Sequence, residues 1–85
     1  MKILFTKPFI KDYQFLPAKL QKLTDKHLEL LFSNPQHPSL RIKKMEDPRE
    51  IWEGRISYSY RFTFQKVEDT YILRRIGSHD ILKHP

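Results

Sequence analysis

The sequence predicts an α+β domain: one N-terminal strand, a hairpin of two helices, then a four-strand antiparallel meander. Three observations carry this. Tyr58 to Lys66 alternates almost without fault, with Tyr58, Tyr60, Phe62 and Phe64 on one side and Ser59, Arg61, Thr63 and Gln65 on the other. A period of two marks a strand with one buried face and one face open to solvent or a ligand. Between Phe9 and Leu31 the apolar residues recur at helical spacing, interrupted at Pro17. Beyond Pro38 the chain is a series of strand-like runs separated by short turns, and such neighbours pair antiparallel.

Taken in order, Lys2 to Thr6 reads as the first strand. Thr6 is a fitting helix N-cap, with Pro8 in the first turn where a proline is tolerated. Phe9, Tyr13 and Leu16 form the stripe of the first helix. Pro17 ends it and opens the second, whose apolar face is Leu20, Leu23, His27, Leu30 and Leu31, with Lys19, Lys22, Lys26 and Glu29 on the wet side. Asn34-Pro35-Gln36-His37-Pro38 stops that helix. Ser39 to Met45 is the next strand, with Leu40 and Ile42 pointing one way and Arg41 and Lys43 the other. Glu46 to Arg49 is a turn. Glu50 to Ser57 is a strand with Trp52 and Ile56 inward, where Gly54 relieves a bulge or a crowded spot. The Tyr58–Lys66 strand follows, and Thr70 to Gly77 is the last, apolar on both faces as a central strand should be.

Eighty-five residues hold one core, so 1–85 is read as a single domain. Sixteen Lys and Arg against ten Asp and Glu give a formal charge of +6, and the pI is about 9.7. That balance favours a polyanionic partner, either nucleic acid or an acidic protein segment. The chain has no cysteine, which excludes disulfides, thiolate metal sites and a cysteine nucleophile. The apolar run at the N-terminus is too short for a signal peptide, and nothing approaches a membrane span, so a cytoplasmic protein is expected.

The sheet face away from the helices carries Arg41, Lys43, Arg55, Arg61 and one of Arg74 or Arg75. Arg61 is either an anion ligand or the cross-strand partner of Glu53, and Arg55 poses the same choice. His79-Asp80 follows a strand that ends in Gly77-Ser78. A histidine there can donate or accept a proton; alternatively Ser78 or Asp80 caps a last turn and His79 is merely exposed. His27, His37, His79 and His84 have no regular spacing and His27 falls on the apolar helical stripe, so no metal site is expected. With only Gly54 and Gly77 there is no phosphate-loop or dinucleotide fingerprint, and no cofactor is expected.

With these residues in view the chain resembles the RelE/ParE toxin superfamily, in its RelE-like, YafQ-like and YoeB-like branches. The resemblance is carried by the β-α-α-β-β-β order, by Tyr60-Arg61-Phe62 at the centre of a hydrophobic strand, and by Arg75-Ile76-Gly77-Ser78-His79-Asp80, which is similar to the Gly-Thr-His segment of two of those branches. It covers essentially the whole chain and is strongest between Trp52 and Leu82. It implies a RelE-like fold and the toxin of a type II toxin–antitoxin system, encoded beside its antitoxin. RelE-type members cut mRNA in the ribosomal A site; ParE-type members poison DNA gyrase. By the same resemblance Arg61 contacts the scissile phosphate and His79 is a general acid or base. Glu53, Arg55, Lys43 and Lys44 lie on strands the family uses for acid–base or phosphate contacts.

The chemistry is coherent without metal. RNA cleavage needs a base for the 2′-hydroxyl, a cation for the phosphorane and an acid for the 5′-oxygen. Guanidinium forks match phosphate oxygens, so Arg61 and Arg55 supply charge, with Lys43, Lys44, Arg41 and Arg75 extending the basic face. His79 supplies a proton, and Glu53, the outward carboxylate at the sheet's centre, is the candidate base. The expectation is therefore a ribosome-dependent mRNA endonuclease, an mRNA interferase that inhibits translation, with the ribosome, mRNA and an acidic antitoxin as partners. The alternative is a binding module without catalysis: a ParE-like gyrase poison, or a homologue that only binds its antitoxin. Arg61 together with His79 favours the nuclease. Asp80 to Lys83, standing where active branches carry a tyrosine or phenylalanine, and middle strands without the histidines of YafQ-like members, favour the alternative. A generic RNA-binding domain would need an exposed aromatic platform, and the alternation turns the aromatics inward.

Overall fold

The computed structural model describes residues 2–85. Strand β1 (Lys2–Phe5) leads into helices α1 (Lys7–Gln14) and α2 (Ala18–Ser33), followed by β2 (Lys43–Lys44), β3 (Trp52–Arg55), β4 (Tyr60–Val67) and β5 (Thr70–Ser78). Single 3-10 turns occupy Pro38–Leu40 and His79–Lys83. The five strands form one sheet in the order β1-β5-β4-β3-β2. The α+β class and the antiparallel meander are as the sequence predicts. The N-terminal strand completes the same sheet, parallel to β5 with Lys2 opposite Thr70 and Phe5 opposite Leu73. The sheet is thus mixed, because the long crossover through both helices and the meander lets the first and last strands run side by side.

The expected Ser39–Met45 strand shrinks to Lys43–Lys44. Leu40, fully buried, anchors the Pro38–Leu40 turn, and Arg41 then takes a left-handed conformation at φ 43°. A side chain with that backbone cannot continue a strand ladder, so Arg41 leaves the sheet. Glu50 at φ 60° does the same before β3, which begins at Trp52 rather than Glu50.

Helix α2 covers one sheet face. Its buried residues are Thr24, His27, Leu28 and Leu31, so the apolar stripe is rotated from the predicted one, and Leu20, Leu23 and Leu30 sit half-buried at its flank. A threonine drawn into the core has to satisfy its hydroxyl, and Thr24 does so by donating to the Leu20 carbonyl at 2.7 Å. Against this face pack Phe9, Leu40, Ile56, Phe62, Phe64, Tyr71, Leu73 and Ile76. The rings of Phe62 and Phe64 lie 5.7 Å apart, and Phe64 meets Tyr71 edge-on at 5.5 Å.

Gly54 occupies the crowded spot. It pairs with Phe62 across β3 and β4, and a Cβ there would stand 2.3 Å from the Phe62 ring. Phe62 is fully buried and cannot swing aside. Gly54→Ala should therefore destabilise the domain by about 1–3 kcal/mol through overpacking. Thermal unfolding checks this: an unchanged melting temperature would mean the ring relocates without cost.

Helix α1 does not lie on the helix-covered face alone; it also seals the edge of β5 beyond the point where β1 stops. Asp12 accepts from the backbone N–H of Ile76 at 3.2 Å and from the Arg75 guanidinium at 2.6 Å (Nε) and 3.3 Å (Nη2). The N–H that β1 leaves unpaired is thus satisfied by a side chain. The carboxylate also pushes the Arg75 pKa up, so the guanidinium is held charged as half of this clamp.

The face opposite α2 is not bare. Between Thr63 and Phe64 the register of β4 with β5 shifts, leaving Arg74 as an extra residue. A bulge of this kind lets consecutive side chains reach the same side. Both arginines do: Arg74 Nε donates to the Pro85 carbonyl and Arg75 Nη1 to the His84 carbonyl, each at 3.2 Å. Thr63 Oγ1 also donates to Pro85, at 3.1 Å. The last residues are strapped across the sheet, which explains why Thr63 is fully buried.

Candidate functional site: an arginine and histidine groove at the β3–β4 hairpin

Three chain segments meet at one end of the tail-covered face. β3 ends at Arg55, a tight hairpin turns through Ser57–Tyr60, and β5 ends at Ser78 before the His79–Lys83 turn. Tyr60 pairs with Ser78, and the His79 backbone N–H donates to the Ser59 carbonyl at 3.0 Å, so the hairpin and the C-terminal turn are fastened together. Between them lies an open groove of about 530 Å³ lined by Arg55, Tyr58, Ser59, Arg61, Ser78, His79 and Asp80.

Arg61 holds the hairpin. Its Nη1 donates to the carbonyl oxygens of Ser57 at 2.9 Å, Tyr58 at 3.0 Å and Tyr60 at 3.0 Å. The Ser57 and Tyr60 carbonyls also accept from backbone N–H groups within the hairpin, the Tyr58 carbonyl does not, and one guanidinium nitrogen gathers all three. The expected cross-strand pair of Arg61 with Glu53 does not form. The register sets Arg61 opposite Arg55 and Gly77, while Glu53 faces Thr63 and Lys43, one step further along the strand. Gly77 serves this geometry too, since a Cβ there would sit 2.9 Å from Ile81, the buried anchor of the C-terminal turn.

Arg55 is placed differently from every other arginine of the sheet. Its backbone carbonyl accepts from His27 Nδ1 at 2.7 Å, which fixes the end of β3 to α2 and gives the core histidine its partner. Its side chain has no carboxylate partner among the described residues, and its Nε is buried with no hydrogen bond. It also stands directly opposite Arg61. Like charges paired across strands repel, and a buried donor without an acceptor is costly. An anion in the groove would offset the like-charge pair.

The other predicted residues lie elsewhere. Glu53 sits outside the groove and pairs with Lys43 at 3.8 Å; Lys44 pairs with Glu50. Arg41 is exposed after its left-handed turn. Arg75 is engaged by Asp12. A second basic hollow of about 450 Å³ lies around the tail and includes Arg49, Arg74, Arg75, Lys83 and His84. Its arginines are already occupied: Arg49 by Asp47 at 2.8 Å, whose carboxyl that contact holds down to about 2, and Arg74 by Gln65 at 3.1 Å and by the tail. Arg41 is likewise unpaired and shares a hollow with His37, but it stands on the turn outside the sheet; among the described residues of the sheet, the hairpin groove is where an uncommitted guanidinium lies beside a histidine.

Sequence reasoning missed two lining residues. Tyr58, placed among the inward aromatics, is 88% exposed at the hairpin tip. The signal was local: Ser57 and Ser59 flank it, and such residues favour a turn over a strand. Asp80, read as a possible cap, makes no side-chain hydrogen bond there and lines the groove, whereas Glu53 does not.

No family model matches the chain, and no curated protein does either. Solved structures match it throughout. The crystal structure of YafQ from E. coli strain BL21(DE3) superposes with a TM-score of 0.79 at 13% identity, covering 95% of this chain and 96% of that one. The YoeB/ParE toxin from Agrobacterium tumefaciens gives 0.76 at 16% identity, over 93% and 99%. The RelB–RelE antitoxin–toxin complex from Methanococcus jannaschii gives 0.75 at 27% identity, over 95% of each chain. With the five-stranded sheet, the two helices and the match over nearly the whole chain taken together, this protein has the RelE/YafQ/YoeB toxin fold.

Proposed function

We propose that this protein is the toxin of a type II toxin–antitoxin pair and cleaves mRNA on the ribosome without a metal ion. The observation that carries this reading is the convergence of Arg55, Arg61 and His79 on one groove of a RelE-like sheet. The uncommitted Arg55 guanidinium takes the scissile phosphate and the charge that develops on it. Arg61 fixes the hairpin that forms one wall. Asp80, the carboxylate on the groove, accepts the proton of the attacking 2′-hydroxyl, and His79 delivers a proton to the departing 5′-oxygen, so one proton is taken and one returned. Glu53, outside the groove and paired with Lys43, exchanges no proton in this reading.

The partner in this reading is an antitoxin with acidic and apolar segments. The positive face complements the first. A largely apolar hollow between the helices, lined by Phe5, Phe9, Ile10, Tyr13 and Leu28 with Asp25 at its side, fits the second. Steering by charge makes association faster and dependent on salt, while apolar anchors supply affinity that persists. Affinity for the antitoxin encoded alongside should fall from low to high salt without vanishing. A flat dependence would remove the basic face from the interface.

The test of function is expression without an antitoxin, followed by mapping of mRNA ends on ribosomes. Growth arrest with cleaved ribosome-bound mRNA supports the proposal. Arrest with DNA breaks and intact mRNA would assign the protein to gyrase poisoning instead.

A further inference from the structure

We infer that Tyr58 is a base-stacking platform, and that the groove takes a phosphate and a neighbouring nucleobase of single-stranded RNA together. The inference rests on the nuclease reading for the identity of the polymer, and on the hairpin geometry for the role of the ring. Tyr58 is 88% exposed, the most exposed of the large apolar residues, on a protein whose other tyrosines are packed or half-buried. Its backbone is held in place. The turn that presents it is gathered by Arg61 through three carbonyls, one of them Tyr58's own, and is fastened to the C-terminal turn through the Ser59 carbonyl. An aromatic ring on an arrested backbone loses little further freedom when a ligand covers it, which is what a stacking surface requires.

The surroundings name the ligand class. Apart from Tyr58, the residues facing the groove are charged or polar, so the ring is a lone apolar plane beside the arginine that lacks a counter-ion. An apolar partner segment would find no second anchor there; the apolar hollow lies instead between the helices. A nucleotide presents an anionic phosphate and a flat π-face side by side, and matches both features. Every base has such a face, so the contact contributes affinity without selecting sequence.

The test uses the full chain, a fluorescent single-stranded RNA hexamer, and the same hexamer with one abasic position in turn along its length. Affinity is read by anisotropy at low salt. Tyr58→Ala should weaken binding of the intact hexamer by about fivefold to a hundredfold, the range of single base–aromatic stacks. Tyr58→Phe should retain it, and wild type should bind the abasic RNA at one position as weakly as Tyr58→Ala binds the intact one. Equal binding of both RNAs by wild type, or an unaltered affinity in Tyr58→Ala, overturns the inference. So does a Tyr58→Ala protein that loses affinity for its antitoxin while its RNA binding is unchanged, because the ring would then serve a protein interface. Cleavage of ribosome-bound mRNA by wild type in the same preparation separates the two levels. Cleavage without base discrimination leaves the nuclease standing and removes Tyr58 from it, whereas absence of both cleavage and RNA binding removes both.

Discussion

His79→Ala should lower the cleavage of ribosome-bound mRNA by about a hundredfold to ten-thousandfold, the usual worth of a positioned proton-transfer group. Its melting temperature should stay at the wild-type value. The two readouts separate because of what His79 does in the fold. Its side chain is exposed and makes no hydrogen bond to any described residue, while the bond that matters structurally, from its backbone N–H to the Ser59 carbonyl, survives truncation to alanine. A loss of activity therefore cannot be blamed on a displaced C-terminal turn. The same assay decides between the two carboxylates: Asp80→Asn should cost activity comparably, and Glu53→Gln should cost far less, because Glu53 lies outside the groove beside Lys43. Full cleavage by His79→Ala would end its assignment as the acid, and a large effect of Glu53→Gln alone would return the base to the residue the sequence first pointed to.

That reversal shows where the sequence was legible. The alternation through Phe62 and Phe64, the Thr6 cap and the proline between the helices are local signals, and local signals placed α1, α2 and β4, although β4 begins at Tyr60 rather than Tyr58. The site depended on register and on the bulge, which are not local. A difference of two residues in register puts Arg61 against Arg55 instead of Glu53 and turns a supposed ion pair into a pair of like charges. The extra residue at Arg74 brings two arginines to the side where one was expected, and the tail they hold buries Thr63 on a face that period-two reasoning leaves open. Tyr58 belongs to the same class of error: alternation runs on smoothly through a residue that the chain has already committed to a turn. Of the arginines expected to form one continuous basic face, Arg74 and Arg75 are engaged by Gln65, Asp12 and the tail, Arg61 by the hairpin carbonyls, and Arg41 leaves the sheet; only the structure shows that Arg55 is the guanidinium left over on the sheet.

The left-over guanidinium gives the other large effect. Arg55→Ala should cut cleavage by about a hundredfold to a thousandfold, as loss of one preorganised transition-state contact does. It should not destabilise the domain as burial alone would suggest. Removing Arg55 takes away a donor with no acceptor and a positive charge held opposite Arg61, two unfavourable features of the native state. The anchor to α2 runs from His27 to the Arg55 backbone carbonyl and is kept. Arg61→Ala is the contrasting case. It takes away the donor that ties the carbonyls of Ser57, Tyr58 and Tyr60 together and leaves that of Tyr58 without a partner, so activity and melting temperature should fall together and amide exchange in the hairpin should quicken. If Arg55 is functional and Arg61 positional, the two alanine variants part company: equal losses of activity, opposite directions in stability. A matching drop in melting temperature for Arg55→Ala would make Arg55 one more structural arginine, and the groove would then lack the cation on which phosphate chemistry depends.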